Sequence, residues 1–266
     1  MDKNLFEEAF FLIQREGGYA CNKLALFDVT GSTNDEIKIL ADKGSAEGTV
    51  AIAMQQTRGQ GRSGRSFFSP AGGNLYMSML LRPTSMAPLE LLTPAAAVAT
   101  ARAIKKVCDK DVQIKWVNDL FYNDKKVCGI IAKAYNIGKP DMYVILGVGI
   151  NVHKTDDEIP SDIKSYGVLY DSQQSSSDVE IIPKLCANIY SEYMGIYSDL
   201  DDIDFMDEYR FRSNVIDRDV RYIDGDSEKT IHVVDIDNSG RLVALGDDGE
   251  FIKYRDGEIR ISIETN

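Results

Sequence analysis

The chain has 266 residues, 44% of them apolar and 27% charged, which is ordinary for a soluble globular protein and gives a prior of about two domains. A formal net charge of −12 argues against a general nucleic-acid binder and against docking on an anionic membrane, while leaving room for a local basic pocket. Cys21, Cys108, Cys128 and Cys186 contain no CxxC pair, and His153 and His232 are the only histidines, so a zinc centre or a Ser-His-Asp triad lacks a supporting motif and the thiols read as reduced and packed, as in the cytoplasm.

The N-terminus, MDKNLFEEAFF, lacks the basic and apolar regions of a signal peptide. Leu5, Phe6, Ala9, Phe10 and Ile13 recur at helical spacing until Gly17-Gly18, which predicts a short amphipathic helix packed on the main domain and too small for a helix-turn-helix. Leu24 to Val29 reads as a strand. Thr33 and Glu36 then have capping-box spacing, and Ile37, Leu40 and Ala41 carry a helix to Gly44. Thr49 to Met54 is a strand that leads into a loop holding Gly59, Gly61, Gly64, Gly72 and Gly73 with Arg58, Arg62 and Arg65. Asn74 to Leu81 alternates as a strand, and Pro94 opens an alanine-rich helix to Cys108.

Val112 to Trp116 is a short strand, and Leu120 to Tyr122 pairs with Lys126 to Ala134 as a hairpin across Asn123-Asp124-Lys125. Met142 to Val152 is an apolar strand containing Gly147 and Gly149, and glycine there marks close approach of a ligand or another backbone. Asp171 to Asp178 is a polar loop. Pro183 starts a helix with Leu185, Ile189, Tyr193 and Ile196 on one face, and the acidic run Asp199 to Asp207 reads as a solvated turn or boundary. Beyond Ser213, Val220–Ile223, Thr230–Ile236, Arg241–Leu245, Phe251–Tyr254 and Ile259–Ile263 are short strands punctuated by Asp-Gly and Ser-Gly turns, the texture of a small barrel.

The residues Gly59-Gln60-Gly61-Arg62-Ser63-Gly64 match GxGxxG, yet they do not make a dinucleotide fingerprint. The loop runs into Phe67-Phe68-Ser69-Pro70 instead of a helix, and no Asp or Glu occurs between Glu47 and Glu90, where the ribose-binding acid belongs. Glycines and guanidinium groups at one place suit a phosphate or carboxylate. Lys115 to Asp119 adds a cation, the only tryptophan and a carboxylate, with Lys125-Lys126 just beyond. Lysine neutralises a phosphate as a point donor, and Asp119 is the candidate to hold Mg²⁺ bridging phosphates.

Gln56-Thr57 with Gly59-x-Gly61-Arg62-x-Gly64-Arg65, then Phe68-Ser69-Pro70, Gly73-Asn74-Leu75-Tyr76, Lys115-Trp116-x-Asn118-Asp119, Lys126-x-x-Gly129-Ile130 and Gly147-x-Gly149-Ile150-Asn151-Val152, in this order, resemble the biotin–protein ligases. Ser32-Thr33-Asn34 fits their upstream biotin motif. The resemblance implies an α+β fold: a mixed-sheet, class-II-synthetase-like catalytic domain at 21–212, a small SH3-like β-barrel at 213–266, and a helical extension at 1–20. It implies activation of biotin by ATP with Mg²⁺ to biotinyl-5′-AMP, then transfer to a lysine of the biotin carboxyl carrier protein domain of a biotin-dependent carboxylase. Biotin contacts fall to Ser32, Thr33, Asn34, Gln56, Gln60, Gly61, Arg62, Lys126 and Gly129, and nucleotide contacts to Gly59, Arg65, Lys115, Trp116, Asn118 and Asn151. Arg62 and Lys126 are the catalytic pair and Asp119 the metal ligand.

With no DNA-reading segment ahead of the helical extension, the chain resembles the class that does not repress transcription; a homodimer is possible. Gln60 stands where many members have arginine, which predicts weaker retention of the adenylate unless the residue 60 backbone N–H supplies the main contact. Lys133 stands near a position where an acid is common. The glycine content of the loop predicts ordering by ligand. Two rival readings are a lipoate or octanoate ligase of the same fold and a biotin-binding regulator without turnover.

Overall fold

A computed structural model describes residues 2–83, 89–176, 178–225, 227–246, 248–255 and 257–261. Ser177, Asp256, Ser262 and Ile263, which belong to the predicted polar loop, last turn and last strand, lie outside them.

A seven-stranded sheet is the frame, in the order β1-β2-β3-β7-β6-β5-β4. Its strands are β1 (Lys23–Thr30), β2 (Thr49–Gln56), β3 (Leu75–Leu81), β4 (Gln113–Lys115), β5 (Asp119–Tyr122), β6 (Lys125–Tyr135) and β7 (Tyr143–Ile150). The β1–β2 pair is parallel and the other pairs are antiparallel, so the sheet is mixed. Hairpin β5–β6 turns on Asn123 and Asp124, with φ of 49° and 59°. That is the two-residue turn with both central residues left-handed, one residue shorter than predicted, and Lys125 joins the strand.

Side-chain alternation divides the faces. Val50, Ile52, Leu75, Met77, Met79, Leu81, Leu146 and Val148 face one core, where α3 (Leu92–Cys108) and α4 (Ile181–Tyr197) pack, flanked by α1 (Lys3–Arg15) and α5 (Phe205–Phe211). Ala51, Leu80 and Ile145 face the other side and meet Ile37 and Ala41 of α2 (Thr33–Asp42). The helix α2 covers only part of that face, and the remainder is the floor of a cleft. Helices α3 and α4 each begin two residues before the predicted prolines, which therefore sit within the first turn, where their missing N–H costs nothing. The acidic run Asp199 to Asp207 is not only a solvated turn: α5 begins inside it, with Phe205, Met206 and Tyr209 buried.

The C-terminal strands are β8 (Arg218–Asp224), β9 (Ser227–Ile236), β10 (Leu242–Leu245), β11 (Phe251–Tyr254) and β12 (Glu258–Ile261). They form one antiparallel sheet in the order β11-β10-β9-β8-β12. It curls until the Tyr222 ring on β8 lies 4.3 Å from that of Tyr254 on β11. Among the described residues, no helix is long and apolar enough to cross a membrane.

Candidate active site

The cleft follows from strand register. Tyr76 pairs with Gly149, Ser78 with Gly147, Gly129 with Gly149 and Ile131 with Gly147, so these alternate positions share the face left open beside α2. Their cavity measures about 610 Å³, the size of a small-ligand site. The strand glycines admit side chains rather than backbone: a Cβ on Gly149 would stand 2.5 Å from the Phe67 ring, and one on Gly147 would stand 2.6 Å from Asn34 Oδ1.

One end is a polar wall built where β1 turns into α2. The Thr33 N–H donates to Gln56 Oε1 at 2.8 Å, and Gln56 Nε2 donates to Ser69 Oγ at 3.0 Å. The Thr33 and Ser78 hydroxyls lie 2.7 Å apart, and Ser78 Oγ donates to Asn34 Oδ1 at 2.7 Å. Thr33 Oγ1 also lies 3.1 Å from Gln56 Oε1, so the two hydroxyls link Gln56 to Asn34 in one network. Ser32 Oγ is buried without a partner among the described residues. The capping box does not form: Ser32 is the N-cap and makes no side-chain cap bond, while Glu36 accepts from Thr30 Oγ1 at 2.6 Å. The Thr33 side chain is spent on the wall instead.

The other end is cationic. Lys126 Nζ lies 2.7 Å from Asp119 Oδ1, both only part exposed. Arg62 donates to Asn118 Oδ1 at 2.9 Å and to the Gly257 carbonyl at 3.4 Å. Arg65 pairs with Glu258, which holds the guanidinium above its ordinary value. Trp116 is buried, and its Nε1 donates to the Gly240 carbonyl at 2.9 Å. The C-terminal sheet therefore closes this end. Burial pushes the Tyr76 hydroxyl in the floor well up, so it stays protonated and donates to the Pro70 carbonyl.

Of the predicted residues, Ser32, Thr33, Asn34, Gln56, Gln60, Gly61, Arg62, Arg65, Lys115, Trp116, Asn118, Asp119, Lys126 and Gly129 line this one cleft. Gly59 and Asn151 are not in the lining. Gly59 is packed so closely that a Cβ would meet the Phe67 carbonyl and Ser69 Oγ at 2.4 Å. Asn151 is buried behind the site, where its Nδ2 donates to the Gly167 carbonyl at 3.0 Å and Gly167 N–H donates to the Lys126 carbonyl at 2.8 Å. It braces the backbone that carries Lys126. Phe67, Ser78 and Glu258 were not foreseen; Ser78 could have been found from its place on the face of β3 opposite to Met77 and Met79. The glycine loop is held by bonds within the protein, including a 3-10 turn at Arg62–Gly64.

Residues 26–151 match the model of the "Biotin/lipoate A/B protein ligase family". A bifunctional ligase/repressor BirA of Bacillus spizizenii is 37% identical over 140 residues, 52% of this chain and 42% of that protein. A biotin–[acetyl-CoA-carboxylase] ligase of Mycobacterium tuberculosis is 30% identical over 154 residues, 56% of each chain. The matched region thus spans about half the length of these relatives. The fold is also that of the biotin protein ligase from Aquifex aeolicus solved in complex with biotin and ATP, with a TM-score of 0.71, 24% identity, 91% of this chain covered and 100% of that one.

Proposed function

We propose, from the match of residues 26–151 to the biotin/lipoate A/B protein ligase family, that this protein activates biotin with ATP to biotinyl-5′-AMP, releasing pyrophosphate, and then passes the biotinyl group to one lysine of a biotin carboxyl carrier protein domain. The observation that carries this reading is the polarity of this cleft: an uncharged hydrogen-bonding wall at Ser32–Asn34 and Gln56, and cations Arg62 and Lys126 at its other end. A ureido ring has two N–H donors and one carbonyl acceptor and suits the first. A carboxylate meeting a phosphate suits the second.

The chemistry follows from charge. The carboxylate oxygen attacks the α-phosphorus, the bond to the bridging oxygen breaks, and pyrophosphate leaves. Two anions must approach, so Arg62 and Lys126 offset the repulsion and the charge that develops. Asp119 holds Lys126 in place through their 2.7 Å ion pair. The mixed anhydride is then attacked at its carbonyl by the carrier amine, and AMP leaves. Both nucleophiles come from substrates, so no Ser, Cys or His of the chain is needed.

The donors do not make a resident metal site. Asp119 is already paired with Lys126, and among the described residues no three His, Cys, Asp or Glu converge. In this reading Mg²⁺ would come as part of the ATP substrate, and Asp119 is the residue that would hold it. The reading places the enzyme in the cytoplasm, in keeping with four unbridged cysteines; it divides the chain at residues 20 and 212 and includes no DNA or membrane partner. The matching family model also covers lipoate ligases, but an acyl chain would leave the buried Ser32 Oγ, the one wall group without a partner among the described residues, unsatisfied.

Pyrophosphate release tests it, with biotin, lipoate and octanoate in parallel. Release with biotin alone is expected; release with lipoate alone would move the protein to the neighbouring branch. Silence from a protein that binds biotin would make it a regulator.

A further inference from the structure

Gln60 lines the cleft, and both ends of its amide are engaged within the protein. Lys133 Nζ donates to Gln60 Oε1 at 2.6 Å, and Gln60 Nε2 donates to Asp35 Oδ1 at 2.8 Å. An ammonium only donates and an ionised carboxylate only accepts, so one orientation of the amide satisfies both. All three side chains are partly buried. The bond from Lys133 spans 73 residues of chain and that to Asp35 spans 25, so the cluster ties three separate pieces: the glycine loop, the first turn of α2 beside the polar wall, and β6. Register places Lys133 opposite Ile145, two pairs beyond Ile131 and Gly147, and so on the cleft face of the sheet.

The loop backbone fits the same picture. Gly61 N–H donates to the Arg65 carbonyl and Phe67 N–H to the Gly59 carbonyl, around an antiparallel bridge of Gln60 with Ser66. In that register residue 60 is a non-hydrogen-bonded partner, and its N–H and C=O turn out of the hairpin. What residue 60 offers a ligand is therefore backbone, and what its side chain does is hold that backbone still.

We propose that Lys133 is a positioning residue for the activated intermediate: with Asp35 it clamps the Gln60 amide and fixes the Gly59–Gly61 backbone across the cleft, which slows escape of the acyl adenylate. This rests on the functional reading above. Lys133 acts through Gln60 and does not touch the reacting atoms.

The test loads the purified full chain with biotin and ATP, removes free ligand, and follows loss of the adenylate by the emission of Trp116, the only tryptophan, with released adenylate quantified in parallel. Lys133→Met removes the donor and keeps much of the volume; Lys133→Arg keeps a donor. Loss of one hydrogen bond to a charged group predicts roughly tenfold faster release from Lys133→Met, an unchanged melting midpoint, and near-normal release from Lys133→Arg. Tryptic cleavage at Arg62 and Arg65 in the ligand-free protein is expected to speed up in Lys133→Met only. Gln60→Arg alone sets a second cation beside Lys133 and should also release faster, whereas Gln60→Arg with Lys133→Glu rebuilds the bridge and should recover slow release. Unchanged release from Lys133→Met, or additive effects in the double variant, overturns the proposal while leaving the ligase reading intact. A wild type that forms no adenylate overturns the reading, and the proposal with it.

Discussion

Lys126 concentrates the chemistry of the site in one atom. Its Nζ is 2.7 Å from Asp119 Oδ1, so the carboxylate orients it at the cleft's cationic end. Lys126→Ala is expected to lower adenylation by about 10²-fold or more, as removal of one preorganised charge stabiliser does, with the melting transition still cooperative. Pyrophosphate release and a thermal melt check both halves. His153 belongs to stability instead. It is buried and stacked on Tyr170 with ring centroids 5.2 Å apart. Burial holds the imidazole below its ordinary 6.5, against the smaller pull of Asp178. A lowered pKa means that the fold prefers the neutral ring. The stability it contributes is therefore full above about pH 6.5 and is lost as pH falls through the lower folded value. Urea midpoints should decline on acidification below about pH 6.5, and His153→Phe should flatten that decline. The cleft residues were legible because their types are scarce: short polar side chains after a strand, arginines among glycines, one tryptophan. The clamp on Gln60 was not, because no local pattern links residues 35, 60 and 133, and the departures at Gln60 and Lys133 make sense only as one contact.

At the scale of elements, β7 shows why two strand glycines are needed. Gly147 has no positive φ to protect; it is small because Asn34 and Ile131 crowd it, with hypothetical Cβ distances of 2.6 and 3.1 Å. Asn34 is held by Ser78 in the polar wall, so an added methyl must push the wall apart. Gly147→Ala should raise the KM for biotin at least tenfold while kcat changes less, since the lost contact is made equally in ground and transition states. Overpacking of this kind costs about 1–3 kcal/mol of stability, readable in the same preparation by a denaturant midpoint. A KM unchanged from wild type would mean that Asn34 does not meet the ligand. The sequence pattern marked the glycines and predicted close approach, but it did not say that side chains would be the visitors, because register with β3 and β6 decides that. The same holds for α5: its acidic residues hid Phe205, Met206 and Tyr209, whose burial depends on α3 rather than on their neighbours in sequence. The α2 cap misled for a related reason, since tertiary partners outbid the local box for the Thr33 hydroxyl.

Across the whole molecule, the C-terminal sheet is fastened to the seven-stranded frame at several separate points. Trp116 Nε1 donates to Gly240. Arg210 donates to the Ile236 carbonyl and to Asn238 Oδ1, each at 3.0 Å. Glu90 accepts Arg255 at 2.7 Å and faces Arg241 at 3.6 Å. One continuous buried cluster includes Leu92 and Trp116 on one side and Val220, Val233 and Leu242 on the other. The exposed ion pairs in this set add little, about 0–1 kcal/mol each. The buried indole bond matters more, because breaking it strands a donor away from water. If the boundary at residue 212 separated independent folding units, the two parts would melt apart, with Trp116 reporting only on the first. The fastening argues for one transition. Trp116 emission and far-UV circular dichroism should therefore give coincident urea curves, the mark of two-state behaviour. Gly240 has a φ of 75°, so Gly240→Val strains the turn that presents the carbonyl to Trp116 and should lower the common midpoint. Should the two probes instead separate in the wild type, the C-terminal sheet would be a detachable cover whose closure over Arg62 and Arg65 is itself part of nucleotide binding, and added ATP would then bring the curves back together.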